Sequence, residues 1–363
     1  MSGEFVDNAY KMGAGRYLQE KGAITLLGSE VLLLGSKAFV LGGPCSYPLV
    51  RDAVESSFSA ASAAFEAVIH EAPATRDDAR RLADQALACS CDVIVGIGGG
   101  RMMDVAKTVS CSAGLPLIEV PTSIATCAAY TPLSVMYDAQ GKADGVWRFT
   151  REVDAVIVDM DIMANQPPRL IAAGVLDAMA KMPEISNGGT GLTCDNSRVD
   201  RFAAYQYACI NYDLLHRYGT QACQDAANSQ VTEALERIAF ANMALTGIVS
   251  ALTRGFHQTA LAHRFYDGMR TFFGQDSKPW LHGELVAIGL IMQCTFNGAP
   301  DQAQELREFM RSMDMPCSLA DIGFSGDDPR TAQVRDYVAH SEFVDDSPEC
   351  QERFAQSFAK IIS

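Results

Sequence analysis

Short apolar runs alternate with stretches of helical spacing through the first part of the chain. Lys37 to Leu41, Glu66 to His70, Asp92 to Ile97 and Leu117 to Val120 are four such runs, and each predicts a strand. Tyr47 to Ala60, about Thr75 to Ala88 and about Met102 to Cys111 predict the helices that separate them, and Leu133 to Tyr137 and Ala155 to Val158 add two more strands. Strands alternating with helices predict a parallel sheet covered on both faces. After Asn165-Gln166-Pro167-Pro168-Arg169 the texture changes. The chain becomes rich in Ala, Leu, Met, Gln and Glu, with helical spacing over Val231 to Leu252, Gly283 to Phe296 and Gln302 to Met313. Prolines favour a connection there. The expected division is residues 1–162 as an α/β domain and 163–363 as an all-α domain.

Charge and composition narrow the class. The 29 basic and 44 acidic residues among 363 give a net charge of −15, the wrong sign for a phosphate backbone, which argues against nucleic acid as a partner. The opening Met1-Ser2-Gly3-Glu4-Phe5-Val6-Asp7 has no basic n-region and no long apolar segment, so no secretory signal is expected. No uninterrupted run of 18 apolar residues occurs, so no membrane span is expected. Eleven cysteines are scattered, and the one close pair, Cys89-Ser90-Cys91, lacks Cys-x-x-Cys spacing. Reduced, mostly buried thiols in a cytoplasmic protein are the expectation.

Two segments carry candidate chemistry. Gly98-Gly99-Gly100-Arg101-Met102-Met103-Asp104-Val105-Ala106-Lys107 runs from a strand end into a helix start. Glycines there let the backbone approach a pyrophosphate, and a helix N-terminus offers unpaired N–H groups and a positive dipole end. The run is not Gly-x-Gly-x-x-Gly, and a tight turn without a ligand reads equally well. Further on, Asp177, His263 and His282 are one carboxylate and two imidazoles, a ligand set that leaves a divalent metal with an open position. Periodicity does not bring these three together, and His70, His216, His257 and His340 read as ordinary structural histidines.

A resemblance does bring them together. The chain resembles the iron-containing alcohol dehydrogenase superfamily, in its glycerol dehydrogenase-like branch, almost end to end. Gly15 to Gln19 is similar to the opening strand of that branch, and Gly98 to Lys107 to its Gly-Gly-Gly-x-x-x-Asp-x-Ala-Lys signature. Val120-Pro121-Thr122 with Leu133 to Tyr137 resembles the second cofactor segment. Ile162 to Ala178, Ala262-His263 and His282-Gly283-Glu284 resemble the three metal segments. The resemblance implies a Rossmann-like domain followed by a helical domain, the architecture shared with dehydroquinate synthase. It implies NAD or NADP, and Zn²⁺ or Fe²⁺ on Asp177, His263 and His282, which are also the catalytic residues. Gly98, Gly99, Gly100, Arg101 and Asp104 would hold the pyrophosphate end, and Thr122, Ser123, Thr131, Leu133 and Tyr137 would line the ribose and nicotinamide. It also implies a small-molecule substrate and a homo-oligomer.

Three departures shape the expected substrate. Glycerol dehydrogenases carry a glycerol-contacting aspartate where Cys127 stands, and this version resembles the hydroxycarboxylate dehydrogenase group, whose members reduce 2-oxo acids. A carboxylate there would repel an acidic substrate. Phe39-Val40-Leu41 ends in Gly42-Gly43-Pro44, without the acid that NAD-preferring relatives carry, which opens the site to NADP. Tyr266 replaces a second histidine; tyrosine can hydrogen-bond but is a poor base near neutral pH. The aromatic usually found before Glu184 is replaced by Met182-Pro183. The expected function is a metal-dependent NAD(P) oxidoreductase of a small 2-hydroxy or 2-oxo acid. A glycerol or vicinal diol dehydrogenase is the alternative, and a dehydroquinate synthase-like lyase or a non-catalytic relative is more remote.

Overall fold

The computed structural model describes residues 9–138 and 143–363; the opening segment read for a signal lies outside these. The described residues contain eight strands: β1 (Arg16–Glu20), β2 (Lys37–Gly42), β3 (Ala64–Ile69), β4 (Val93–Gly98), β5 (Leu117–Pro121), β6 (Leu133–Tyr137), β7 (Ala143–Arg148) and β8 (Ala155–Asp159). Six form one parallel sheet in the order β1-β8-β5-β4-β2-β3. The strands β4, β5 and β8 are buried along their whole length, which is why they read as unbroken apolar runs. Helices α1 (Leu27–Leu34) and α2 (Tyr47–Ala61) cover one face, where Leu27, Val31, Val54 and Phe58 pack on Val40, Val95 and Ile97. The opposite face takes α3 (Arg76–Ala88) and α4 (Gly100–Ala113), with Gly96 of β4 turned toward Ala106. The chain leaves β2 toward β3 on one side and leaves β4 toward β5 on the other. Strand order therefore reverses at β2 and β4, the point where open α/β sheets bind ligands beyond their carboxyl ends.

The strand β6 does not join this sheet. It pairs antiparallel with β7, a strand whose exposed, polar sequence gave no apolar run to find. The remaining helices are α5 (Met160–Ala164), α6 (Pro168–Ile185), α7 (Val199–Ala227), α8 (Glu233–Phe240), α9 (Thr246–Leu252), α10 (Leu261–Phe272), α11 (His282–Phe296), α12 (Pro300–Ser312), α13 (Pro329–Ala339) and α14 (Pro348–Ala359). This is the expected fold class, an N-terminal α/β domain followed by a helical region.

Contacts group Met1–Gln166 with Asp225–Arg254 as one unit, and Pro167–Gln224 with Gly255–Ser363 as the other. A single division after residue 162 has no such return. The return has a steric cause. Tyr130, buried at 8% exposure, fits where a β-carbon on Gly13 or on Gly247 would stand 2.3 Å and 2.2 Å from its atoms. Asn242 Nδ2 donates to the Ile124 carbonyl at 3.0 Å. Five residues of π-helix, Ala241–Leu245, join α8 to α9 at this place. The continuous helix Glu233–Leu252 has the length and the mean hydropathy, 1.3, of a membrane span, yet 67% of that window is buried inside the fold. It is a core helix.

In the second unit α11 packs on α6, α10, α12 and α14, and α10 packs on α13. No disulfide is formed by the eleven cysteines, but only five are buried: Cys45, Cys111 and Cys194 are exposed, so burial alone does not account for them.

Candidate active site

Three helices of the second unit each deliver one donor atom. Asp177 lies in the middle of α6, His263 in the first turn of α10, and His282 at the start of α11. His263 Nε2 stands 3.3 Å and His282 Nε2 3.2 Å from Asp177 Oδ1, and one ligand atom from each residue lies within 4.8 Å of the others. Donors about 2.0–2.2 Å from a shared tetrahedral ion lie about 3.3–3.6 Å from one another, so the spacing suits a divalent cation. Asp177 Oδ1 is buried and makes no well-aligned hydrogen bond among the described residues, although both imidazoles are near it. Burial alone would raise the Asp177 carboxyl, but His282 and His263 hold it well below the usual carboxylate range. His282 keeps 34% of its side chain exposed, so the group has an open side.

A second layer fixes these donors. Glu184, two turns along α6 from Asp177, accepts hydrogen bonds from the Ala260 and His263 amides at 2.7 and 2.9 Å. Its Oε2 lies 2.6 Å from His263 Nδ1. With Nδ1 donating to Glu184, Nε2 is the nitrogen that faces Asp177 and is left to a metal, the arrangement a ligand histidine needs. Burial pulls His263 down, but Glu184 and Asp177 outweigh it and push it up to about 9. On the other side, Glu284 accepts from the Leu281 amide at 2.7 Å and holds Arg169 through two contacts of 2.6 and 2.7 Å. This caps the N-terminus of α11 beside His282. Tyr266 presents its ring edge-on to His282, 4.2 Å between centroids.

The glycine segment lies in the first unit, at the switch between β2 and β4. Gly98 ends β4, and Gly99 and Gly100 begin α4 without a side-chain cap. A β-carbon on Gly99 would meet nothing within 4 Å, which leaves the helix N-terminus open. Thr122 N donates to the Gly98 carbonyl at 2.9 Å, bringing Thr122 and Ser123 alongside. Asp104 and Lys107 form an ion pair of 3.0 Å, and Asp104 also accepts from the Val135 amide. Lys107, 2% exposed, donates to the carbonyls of Ala128, Thr131 and Leu133. Thr131 and Leu133 are thus held by Lys107, and Asp104 is engaged in holding β6. Arg101 is exposed on α4, and Tyr137 donates its amide to Ala74 at 2.9 Å. The Cys127 carbonyl accepts from the Tyr130 amide at 2.9 Å.

The iron-containing alcohol dehydrogenase family model matches residues 14–160. The chain is 31% identical to the glycerol dehydrogenase of Thermotoga maritima over 86% of its own length and 84% of that protein. The chain belongs to the iron-containing alcohol dehydrogenase family. It is also 31% identical to hydroxycarboxylate dehydrogenase A of Escherichia coli, over 69% of this chain and 67% of that protein. The crystal structure of a probable glycerol dehydrogenase from Sinorhizobium meliloti 1021 shares the fold, with a TM-score of 0.80 at 24% identity over 97% and 98% of the two chains. The protein is an NAD(P)-dependent alcohol dehydrogenase of the glycerol dehydrogenase-like branch, acting on a CH–OH group.

Within this alcohol dehydrogenase, sequence reasoning passed over three side chains. Lys181 and Glu184 fall four and seven residues after Asp177, so one helical face of α6 carries all three. Arg169 opens the same helix and pairs with Glu284. The helical spacing after Asp177 was the available signal for the first two. Of the other histidines, His216 packs on Phe309 and His340 bonds the Asp336 carbonyl, while His70 is buried with Nε2 lacking a partner among the described residues.

Proposed function

We propose that Asp177, His263 and His282 hold one divalent metal, and that the enzyme oxidises a small vicinal diol of the glycerol type. The convergence of these three donors, with Glu184 fixing the His263 tautomer, carries the reading. The glycerol dehydrogenases among its relatives supply the substrate class. A cation there stabilises charge that develops on the substrate oxygen. A nicotinamide cofactor held at Gly98, Gly99 and Gly100 would supply the redox chemistry, accepting a hydride (two electrons with one proton) from a carbinol carbon whose hydroxyl proton would pass to solvent. The chain's own work is to place the pieces: Gly99 leaves open space for the pyrophosphate, and Gly98 and Gly100 let Met102 and Thr126 pack close on either side of it. Lys107 anchors Thr131 and Leu133, and Asp104 steadies β6. Gly42-Gly43-Pro44 leaves no acid against a 2′-phosphate, so NADP is included. A homo-oligomer in the cytoplasm remains part of the proposal.

The second reading is a 2-hydroxy acid, and Cys127 favours it because a neutral side chain there repels no carboxylate. The test of the metal site is elemental analysis of His263→Ala and His282→Ala. Each variant is expected to lose bound metal and at least about a hundredfold in kcat while keeping its circular dichroism. Full metal stoichiometry in the double variant would overturn the site.

A further inference from the structure

Lys181 is 7% exposed, and its amine has no hydrogen bond and no ion pair among the described residues. Buried lysines are ordinarily paired, and this amine instead keeps contact with open space while its stem is buried. Its position makes the anomaly informative. On α6 it stands one turn after Asp177 and three residues before Glu184, on the face that carries the metal-type donors. Its charge acts on Asp177, Glu184 and His263. With a divalent cation in place, the carboxylates of Asp177 and Glu184 balance it. On this face of α6 Lys181 then carries a positive charge that neither carboxylate is left to balance; the other nearby carboxyl, Asp267 on α10, is itself raised by burial.

A neutral diol gives such a charge little, whereas a carboxylate gives it a charge-assisted hydrogen bond in a poorly solvated site. We propose that the Lys181 ammonium is the docking point for the carboxylate of a small 2-oxo or 2-hydroxy acid, so that such acids are substrates of this site alongside diols. This rests on the alcohol dehydrogenase reading above, and it assigns to one residue the acid preference that Cys127 only permits. Lys181 is a specificity residue in this proposal: it binds the far end of the substrate and leaves the carbinol carbon to the metal-type group.

The test uses the metal-loaded enzyme and oxamate, a 2-oxo acid isostere that cannot be reduced. Oxamate binding in the presence of NADPH is measured by calorimetry for the wild type, Lys181→Met and Lys181→Arg, with metal content as a control. Pyruvate reduction and glycerol oxidation are measured beside it. Lys181→Met is expected to weaken oxamate and raise the KM for pyruvate by at least about tenfold, and to lower kcat/KM for pyruvate at least about tenfold more than for glycerol. Lys181→Arg, which keeps the charge, is expected to retain most of the oxamate affinity and controls for folding. Unchanged oxamate affinity in Lys181→Met, or equal loss on pyruvate and glycerol, overturns the proposal. So does a wild type that oxidises glycerol but neither binds oxamate nor reduces pyruvate, and that outcome leaves the alcohol dehydrogenase reading intact. A metal-loaded enzyme that binds oxamate through Lys181 but turns over no alcohol would instead strike the reading beneath it.

Discussion

Glu119 shows how one side chain can set the pH response of a sheet. It is wholly buried in β5, both carboxylate oxygens lack hydrogen-bond partners among the described residues, and Oε2 points at Gly96, where a β-carbon would stand 2.4 Å away. Burial pushes its carboxyl well above the ordinary 4.5; Lys107 opposes this and Asp104 adds to it. The folded state therefore keeps the proton to a higher pH than the unfolded chain. Stability from this site is fullest below about pH 4.5 and is lost as pH rises toward the folded value, at about 1.4 kcal/mol per pH unit. Glu119→Gln keeps the shape and removes the ionisation. It is expected to resemble the wild type near pH 4.5 and to exceed it by at least about 1–3 kcal/mol at pH 8.5, read from denaturant midpoints. A stability gap that does not change with pH would show that Glu119 is not held neutral.

Among the elements, α6 and α11 set the distance between ligands, and Gly283 sets the distance between these helices. A β-carbon there would stand 1.9 Å from the Ala173 carbonyl oxygen, a backbone atom that cannot swing aside. Gly283→Ala is expected to push the start of α11 outward, separate His282 from Asp177, lower stability by at least about 1–3 kcal/mol and release the metal. Wild-type metal content together with an unchanged melting temperature would mean that the helices can yield. The sequence made some of this legible and hid the rest, for physical reasons. β4, the glycine turn and α4 stood out because a buried parallel strand is apolar throughout and a helix has its own period. β7 escaped notice because both its faces are wet. The donors on α6, α10 and α11 were joined only through family resemblance, since no local period links positions so far apart. Lys181 and Glu184 were within reach, one and two turns from Asp177, but a charge pattern on a helix says nothing of burial until the neighbouring helices are known.

For the whole molecule, the return of residues 225–254 to the first unit matters most. Tyr130 needs both Gly13 and Gly247 to be without side chains, and the Ile124 carbonyl needs Asn242, so the segment that carries Cys127 is braced by chain nearly 120 residues later, 118 in the case of Asn242. This brace imposes an order in time. A ribosome making this protein releases the whole parallel sheet well before it releases the helix that seats Tyr130, so the nascent first unit waits with an unfilled flank until residue 254 has emerged. A stalled chain that ends a full exit tunnel's length past residue 166 is expected to be cut by protease near Tyr130, while one that ends a full exit tunnel's length past residue 254 is expected to be protected there; equal cutting of the two would show that the sheet closes without its late helix. Synthesis rate between these two points thus becomes a quantity on which the yield of folded enzyme depends.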